Sequence, residues 1–258
     1  MSSGKSIVDR LREDGAFLIG TWSKIPSMEP VELLGHVGFD FVVIDMEHAP
    51  HSFQTTARAI AYAQAAGMVA LVRAPDRSGN ALQRLLDANA DGILVPRIET
   101  PEQASEMTAA MAFPPVGTRG NGYTSRAARW TLDPIADYFD RGRNHILRAV
   151  QLEDMGSLEN IEAILEAPAL NAIFIGFGDL SMSSGLAPSD PKLRALEAKV
   201  LAAAKSRNIP VGTAVQTTED AVRCRDAGYS YVMISADTTL FAQAAKSLIT
   251  DTRAALTA

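Results

Sequence analysis

The sequence predicts a (β/α)8 barrel of the TIM type, an α/β fold, on three observations. Eight short apolar runs rich in β-branched residues recur along its 258 residues, and strands buried on both faces of a parallel sheet read as such runs. Between the runs lie stretches with apolar residues three or four apart, the spacing of one helix face. The alternation is strict, and repeated strand–helix units close a parallel sheet with helices outside. The length suits one barrel, so residues 1–258 are expected to form one domain. A doubly wound open sheet is the alternative, but it would usually have fewer strands and one clear crevice.

The runs, in order, are AFLIGTW, FDFVVIDME, MVALVRAP, GILVPRIE, ILRAVQLE, NAIFIGFGDL, IPVGTAV and YSYVMISAD. The helical stretches are VELLGHVG, TTARAIAYAQAAG, NALQRLLDANA, PEQASEMTAAMA, SLENIEAILEA, LRALEAKVLAAAKSRN, TTEDAVRCRDAG and LFAQAAKSLITDTRAAL. Gly38, Gly67, Asn208 and Gly228 fit helix C-termini, and Pro101 fits a first turn. Residues 114–132, PPVGTRGNGYTSRAARWTL, form the one long irregular segment. Loops of that length in compact domains are functional or disordered.

Composition narrows the function. The net charge is −6 with no basic block, which argues against nucleic-acid binding. Cys224 stands alone, so no internal disulfide or cysteine-based zinc site is available. No apolar run of signal-peptide type or membrane-spanning length occurs. A reducing, cytoplasmic setting is therefore expected.

Barrel active sites lie at the C-terminal ends of the strands, so residues ending each run are the candidates. They are Trp22; Asp45, Glu47 and His48; Arg73; Gln151, Glu153 and Asp154; Gly178 and Asp179; Gly212 and Thr213; and Asp237. Glu153 and Asp179 offer two carboxylates from neighbouring run ends, a donor set for a hard divalent ion such as Mg²⁺ or Mn²⁺. The plainer alternative is that both cap helices. Asp45 could hold one imidazole nitrogen of His48 and leave the other as a base; alternatively all three ionisable groups of this stretch are solvated. Arg73 at a buried strand end needs an anion, either Asp45 or Glu47 or a substrate oxyanion. His36, His51 and His145 read as exposed or solvated, and Cys224 as a helix-packing residue. The last two strand ends lack a glycine-rich phosphate-binding turn, which weighs against a phosphorylated substrate.

FDFVVIDMEHAP, LVRAP, LLDANADGILVPRIETPEQA, PPVGTRGNG, SRAARW, AVQLED and IFIGFGDLS follow one another in that order. Together they resemble the HpcH/HpaI aldolases, metal-dependent class II pyruvate aldolases, over about residues 15–245. The resemblance implies a phosphoenolpyruvate/pyruvate-domain-like barrel whose last helix is commonly exchanged between subunits, and a hexamer built as a trimer of dimers. It implies that Glu153 and Asp179 bind Mg²⁺ or Mn²⁺, with Co²⁺ also possible. Arg73 would face the keto oxygen of pyruvate, and His48 with Asp45 would handle protons. The Gly178 and Asp179 amides would hold the pyruvate carboxylate, Gln151 and Trp22 would line the pocket, and Asp87 would approach the site of a neighbouring chain. The implied activity is reversible cleavage of a 4-hydroxy-2-oxo acid to pyruvate and an aldehyde. Alternatives on the same barrel are an oxaloacetate decarboxylase, a citrate-lyase-β or malyl-CoA-like lyase, and a non-catalytic oxo-acid-binding protein. Two departures bear on the pocket. Phe177 stands where the family commonly has proline, and the 119–130 loop is a residue shorter than usual. That loop leaves Arg126 as a candidate contact for the aldehyde, against a plain solvated charge.

Overall fold

The computed structural model describes residues 5–257. Eight parallel strands close in chain order: β1 (Leu18–Ser23), β2 (Phe41–Asp45), β3 (Val69–Arg73), β4 (Gly92–Val95), β5 (Leu147–Leu152), β6 (Ala172–Ile175), β7 (Val211–Val215) and β8 (Tyr231–Ala236). Leu18 pairs with Tyr231 where β1 meets β8. The connecting helices are α1 (Ile7–Leu11), α2 (Met28–Val37), α3 (Phe53–Ala65), α4 (Gly79–Asp87), α5 (Pro101–Ala110), α6 (Ile135–Asn144), α7 (Met155–Glu159), α8 (Ile161–Ile164), α9 (Phe177–Ser184), α10 (Pro191–Ser206), α11 (Thr218–Ala227) and α12 (Asp237–Thr257). The barrel expected from the sequence is the barrel observed.

Side chains alternate across each strand. Trp22, Phe41, Val43, Leu71, Leu94, Ala149, Phe174 and Met233 belong to one buried cluster inside the barrel. Val42, Ile44, Val72, Ile93, Val150 and Ile173 belong to the layer under the helices. Each fully buried aliphatic or aromatic residue contributes about 1.5–3 kcal/mol through loss of water contact. The short α1 adds Ile7, Val8 and Leu11 to the inner cluster, at the N-terminal end of the strands. Two residues beyond Val43 and Leu71, the inward phase of β2 and β3 arrives at Asp45 and Arg73.

α2 and α11 end on Gly38 (φ 104°) and Gly228 (φ 99°), left-handed positions that favour glycine. The expected stretch SLENIEAILEA divides at Asn160 into α7 and α8. Gly178 and Asp179, read from the sequence as a strand end, lie in the first turn of α9. Gly212 and Thr213 lie within β7 rather than at its end. Residues 114–132 are irregular apart from a 3₁₀ turn at Arg126–Ala128. The segment is tied down: the Gly122 N–H donates to the Tyr138 hydroxyl at 3.0 Å, and the Arg119 guanidinium lies 4.5 Å from the Phe113 ring centre.

Candidate active site

Asp45 is fully buried and accepts hydrogen bonds at both oxygens. Arg73 donates from Nε to Oδ1 at 2.9 Å and from Nη2 to Oδ2 at 2.7 Å. Lys24 donates from Nζ to Oδ2 at 2.6 Å, and the backbone N–H groups of Glu47 and His48 each reach Oδ1 at 3.1 Å. Burial alone would raise this carboxyl; the Arg73 hydrogen bonds and charge, followed by Lys24, hold it well below the usual carboxylate range. Arg73 is itself buried and lies 4.3 Å from the centre of the Trp22 ring, which packs edge-on against Phe174. This stacked, two-pronged setting fixes the guanidinium at the inner end of β3.

His48 is placed differently from the expected pairing. Asp45 holds the His48 backbone N–H, whereas the His48 ring is on the exposed rim, with Nε2 3.7 Å from Glu47 Oε2. Both Asp45 oxygens are already engaged, so the neighbouring carboxylate is Glu47. Glu47 Oε2 is also 3.3 Å from Arg73 Nη1, and Oε1 is 3.0 Å from Arg97 Nε. Glu47 was among the run-end candidates and one of the two anions expected for Arg73, whereas Lys24 and Arg97 were not singled out as site residues from the sequence. Lys24 follows the first strand end and Arg97 the fourth, but nothing in the spacing assigned them partners.

The second half of the site centres on Glu153. Its Oε2 accepts from Gln151 Nε2 at 2.5 Å, and its Oε1 accepts the Arg97 backbone N–H at 2.9 Å. Burial pushes its pKa up to about 7; the Gln151 hydrogen bond opposes this, and the negative charges of Asp179 and Glu47 reinforce it. Asp179 and Glu47 therefore lie close enough to Glu153, at one mouth, for their charges to act on it. Glu153 caps no helix, since α7 is capped by the Asp154 side chain. A Cβ on Gly176 would come within 3.1 Å of Gln151 and Glu153, so the bare backbone permits their close approach.

Glu153 and Asp179 are the residues that could hold a divalent cation. The all-oxygen donors suit a hard ion. The fit rests on two features: the charge of Asp179 helps raise Glu153, and Gln151 Oε1 is a buried acceptor without a hydrogen-bond partner. Among the described residues no group of three or more His, Cys, Asp or Glu side chains is gathered for a metal, so water or substrate would complete the shell.

Other expected residues lie elsewhere or point elsewhere. Asp87 ends α4, a helix antiparallel to the strands, and pairs with Arg119 at 3.3 Å on the opposite rim. It is not part of this chain's own mouth. Arg126 is not a solvated charge: it donates to the Ala88 carbonyl and to Gln64 Oε1, both at 3.0 Å, on that same lower side. His51 is buried rather than solvated; neither ring nitrogen has a hydrogen-bond partner, and burial lowers its pKa against the Ser23 carbonyl and the charges of Asp237 and Asp45. Phe177 packs on the helix-facing core with Arg194 5.6 Å from its ring, so its bulk goes outward. Gly178 is exposed and Asp179 half-buried at the start of α9. Backbone N–H groups of a first helical turn lack intrahelical partners and favour anions. A cavity of about 800 Å³ lies near the N-terminal ends of β3 and β5, lined by Arg119, Asp91, Tyr138 and His145, and includes none of the Asp45–Glu153 constellation.

Comparison with known proteins agrees with this geometry. The profile of the HpcH/HpaI aldolase/citrate lyase family matches residues 18–244. The chain is 30% identical over 239 residues to a hydroxypyruvate/pyruvate aldolase of Chromohalobacter salexigens, covering 92% of this chain and 93% of that protein. It is 32% identical over 234 residues to a 4-hydroxy-2-oxo-heptane-1,7-dioate aldolase of Escherichia coli, covering 89% and 88%. The crystal structure of an HpcH/HpaI aldolase/citrate lyase family protein from Burkholderia cenocepacia J2315 superposes with a TM-score of 0.88 at 31% identity, covering 96% of this chain and 98% of that one. The chain belongs to the HpcH/HpaI aldolase/citrate lyase family.

Proposed function

We propose that this mouth catalyses reversible aldol cleavage of a 4-hydroxy-2-oxo acid, giving pyruvate and an aldehyde. The observation that carries the proposal is the meeting of two units at one end of the barrel: the Asp45–Arg73 fork and the Glu153–Asp179 carboxylate pair. Cleavage breaks the C3–C4 bond and leaves negative charge on the keto oxygen of the departing pyruvate, as its enolate. Arg73, fixed by Asp45 and Trp22, faces that charge without having to reorganise. Gln151 orients Glu153, and the first-turn amides of Gly178 and Asp179 suit the substrate carboxylate. His48, beside Glu47 on the rim, takes the C4 hydroxyl proton as the aldehyde forms, and delivery of a proton to C3 of the enolate then completes pyruvate. A divalent ion held by Glu153 and Asp179, Mg²⁺ or Mn²⁺, would add Lewis-acid stabilisation of the developing enolate charge.

Pyruvate and an aldehyde are thus the proposed small-molecule partners. The test is a product assay on a 4-hydroxy-2-oxo acid with Mg²⁺, Mn²⁺ or Co²⁺, with and without chelator. Stoichiometric pyruvate and aldehyde support the reading. Carbon dioxide from oxaloacetate without aldol cleavage would instead favour a decarboxylase, and no turnover with any ion would favour oxo-acid binding alone.

We also propose a cytoplasmic homo-oligomer with an exchanged last helix. Of α12 only Asp237 is buried, while Phe241 is 72% and Leu248 71% exposed. Ile19 on β1 and Leu33 and Val37 on α2 are likewise uncovered. A second copy's α12 is the occupant that would match such a surface. No helix among the described residues is long and apolar enough to cross a membrane.

A further inference from the structure

We propose that Lys24 is a positioning residue for enolate formation, keeping the Asp45–Arg73 unit net positive where the second negative charge of pyruvate develops. The proposal rests on the aldolase reading of the site.

An aspartate–arginine pair alone is neutral, and Asp45 grips Arg73 with both oxygens. Such a pair fixes the guanidinium but cancels much of its field. Lys24 changes that balance. Its Nζ meets Asp45 Oδ2 at 2.6 Å, on the same oxygen that accepts Arg73 Nη2 at 2.7 Å. One carboxylate is then shared by two cations, and the trio carries one net positive charge. Glu47 also meets Arg73, at 3.3 Å from Nη1, but it is shared with Arg97 at 3.0 Å, so the group of Lys24, Arg73, Arg97, Asp45 and Glu47 keeps that one net positive charge. Asp45 in turn has five donors and is a fixed anion rather than a proton carrier.

The reach of Lys24 is built into the backbone. Its N–H donates to Asp237 Oδ1 at 2.9 Å and Oδ2 at 3.0 Å, and the Ile25 N–H donates to Asp237 Oδ2 at 3.0 Å. Asp237 is buried and begins α12, so the chain leaving β1 is pinned before the side chain extends to Asp45. A surface lysine with a free stem would lose its geometry to side-chain entropy; this one starts from a clamped residue and ends on a buried carboxylate.

The charge argument separates binding from chemistry. Pyruvate binds with one negative charge, and removal of a methyl proton to a base creates a second, delocalised onto the keto oxygen. A positive field that matters chiefly for the second charge acts on kcat more than on KM. The partial reaction that reads this is exchange of the pyruvate methyl protons with D2O, followed by proton NMR with Mg²⁺ and without any aldehyde.

Lys24→Met and Lys24→Gln should lower kcat for exchange about tenfold or more, with pyruvate KM within about threefold. Lys24→Arg should recover most of the rate, and Mn²⁺ affinity and the unfolding midpoint should stay near those of the wild type. Exchange at the wild-type rate in both uncharged variants overturns the proposal, as does a loss confined to KM or a Lys24→Arg variant as slow as Lys24→Met. Wild-type protein that exchanges no protons overturns the enolate reading itself, and this proposal with it.

Discussion

Asp45 and Arg73 meet through two near-parallel hydrogen bonds, 2.9 and 2.7 Å long, between the ends of β2 and β3. The register makes them direct neighbours across the sheet, and both point inward by strand alternation. The catalytic proposal depends on this fork, because a guanidinium that must swing into place would lose much of its advantage over water.

Arg73→Ala and Arg73→Lys are both expected to lower kcat/KM for pyruvate release about 100- to 1,000-fold. Lysine keeps the charge but cannot satisfy two carboxylate oxygens with one planar group or stack on Trp22 in the same way. Steady-state kinetics against a 4-hydroxy-2-oxo acid measure this. A loss under tenfold in Arg73→Lys would show that charge alone suffices and that the fork is incidental.

Removing the carboxylate should damage the fold as well as the reaction. Asp45→Ala leaves Arg73 buried beside Trp22 without its main anion, and breaking a buried pair from one side costs about 3–5 kcal/mol. The pH dependence has a defined sign. The folded carboxyl sits below its ordinary value of 3.8, so its contribution is complete above that value and is lost as pH falls toward the lower folded pKa. Urea unfolding between pH 2 and 7 should therefore show a loss of stability below about pH 4 in the wild type that is smaller in Asp45→Asn.

Glu153 predicts the opposite trend. Its folded pKa is about 7 against an ordinary 4.5, so the folded, metal-free protein holds more protons than the unfolded chain between those values. This group's contribution to metal-free stability therefore declines as pH rises from 4.5 to about 7. A cation must displace that proton, so Mn²⁺ affinity should increase with pH and level off above about 7. Calorimetry in buffers of different ionisation heat should detect proton release at pH 6 and little at pH 8. Glu153→Gln should abolish both the release and most of the binding; pH-independent Mn²⁺ binding in the wild type would remove Glu153 from the ligand set.

The barrel was legible because each strand is a short apolar run, and β2, β3 and β5 carry Asp45, Arg73 and Gln151 on the inward phase near their ends. Trp22, Asp45, Arg73, Gln151 and Glu153 were readable for that reason: strand periodicity alone aims them. The partners were less legible. Whether His48 faces Asp45 or Glu47 depends on the turn after β2, where Asp45 is saturated by two backbone N–H groups, and no residue spacing encodes that saturation. Lys24 escaped notice because its contact with Asp45 depends on Asp237, more than two hundred residues away. Arg126 was misplaced since an irregular segment has no period from which to judge which end of the barrel it visits. The same holds for His51, which is buried near Ser23, Asp45 and Asp237 although no apolar pattern surrounds it in the sequence.

The last helix carries the remaining prediction. α12 runs for 21 residues yet leaves Phe241, Leu248, Ile249 and Leu256 open to solvent. A polar helix needs no cover; one with this many large apolar residues, beside an uncovered Ile19, Leu33 and Val37, marks an association surface. If exchange of α12 builds the dimer, Phe241→Asp with Leu248→Asp places two charges in the covered face and should shift the assembly toward the 27.6 kDa monomer in light scattering. Activity should fall with it, because Asp237 joins the helix start to the backbone of Lys24 and through it to Asp45. An unchanged mass for the double variant would place the assembly contacts on another face. A monomeric variant with full turnover would show instead that the mouth of one chain is complete without its neighbours.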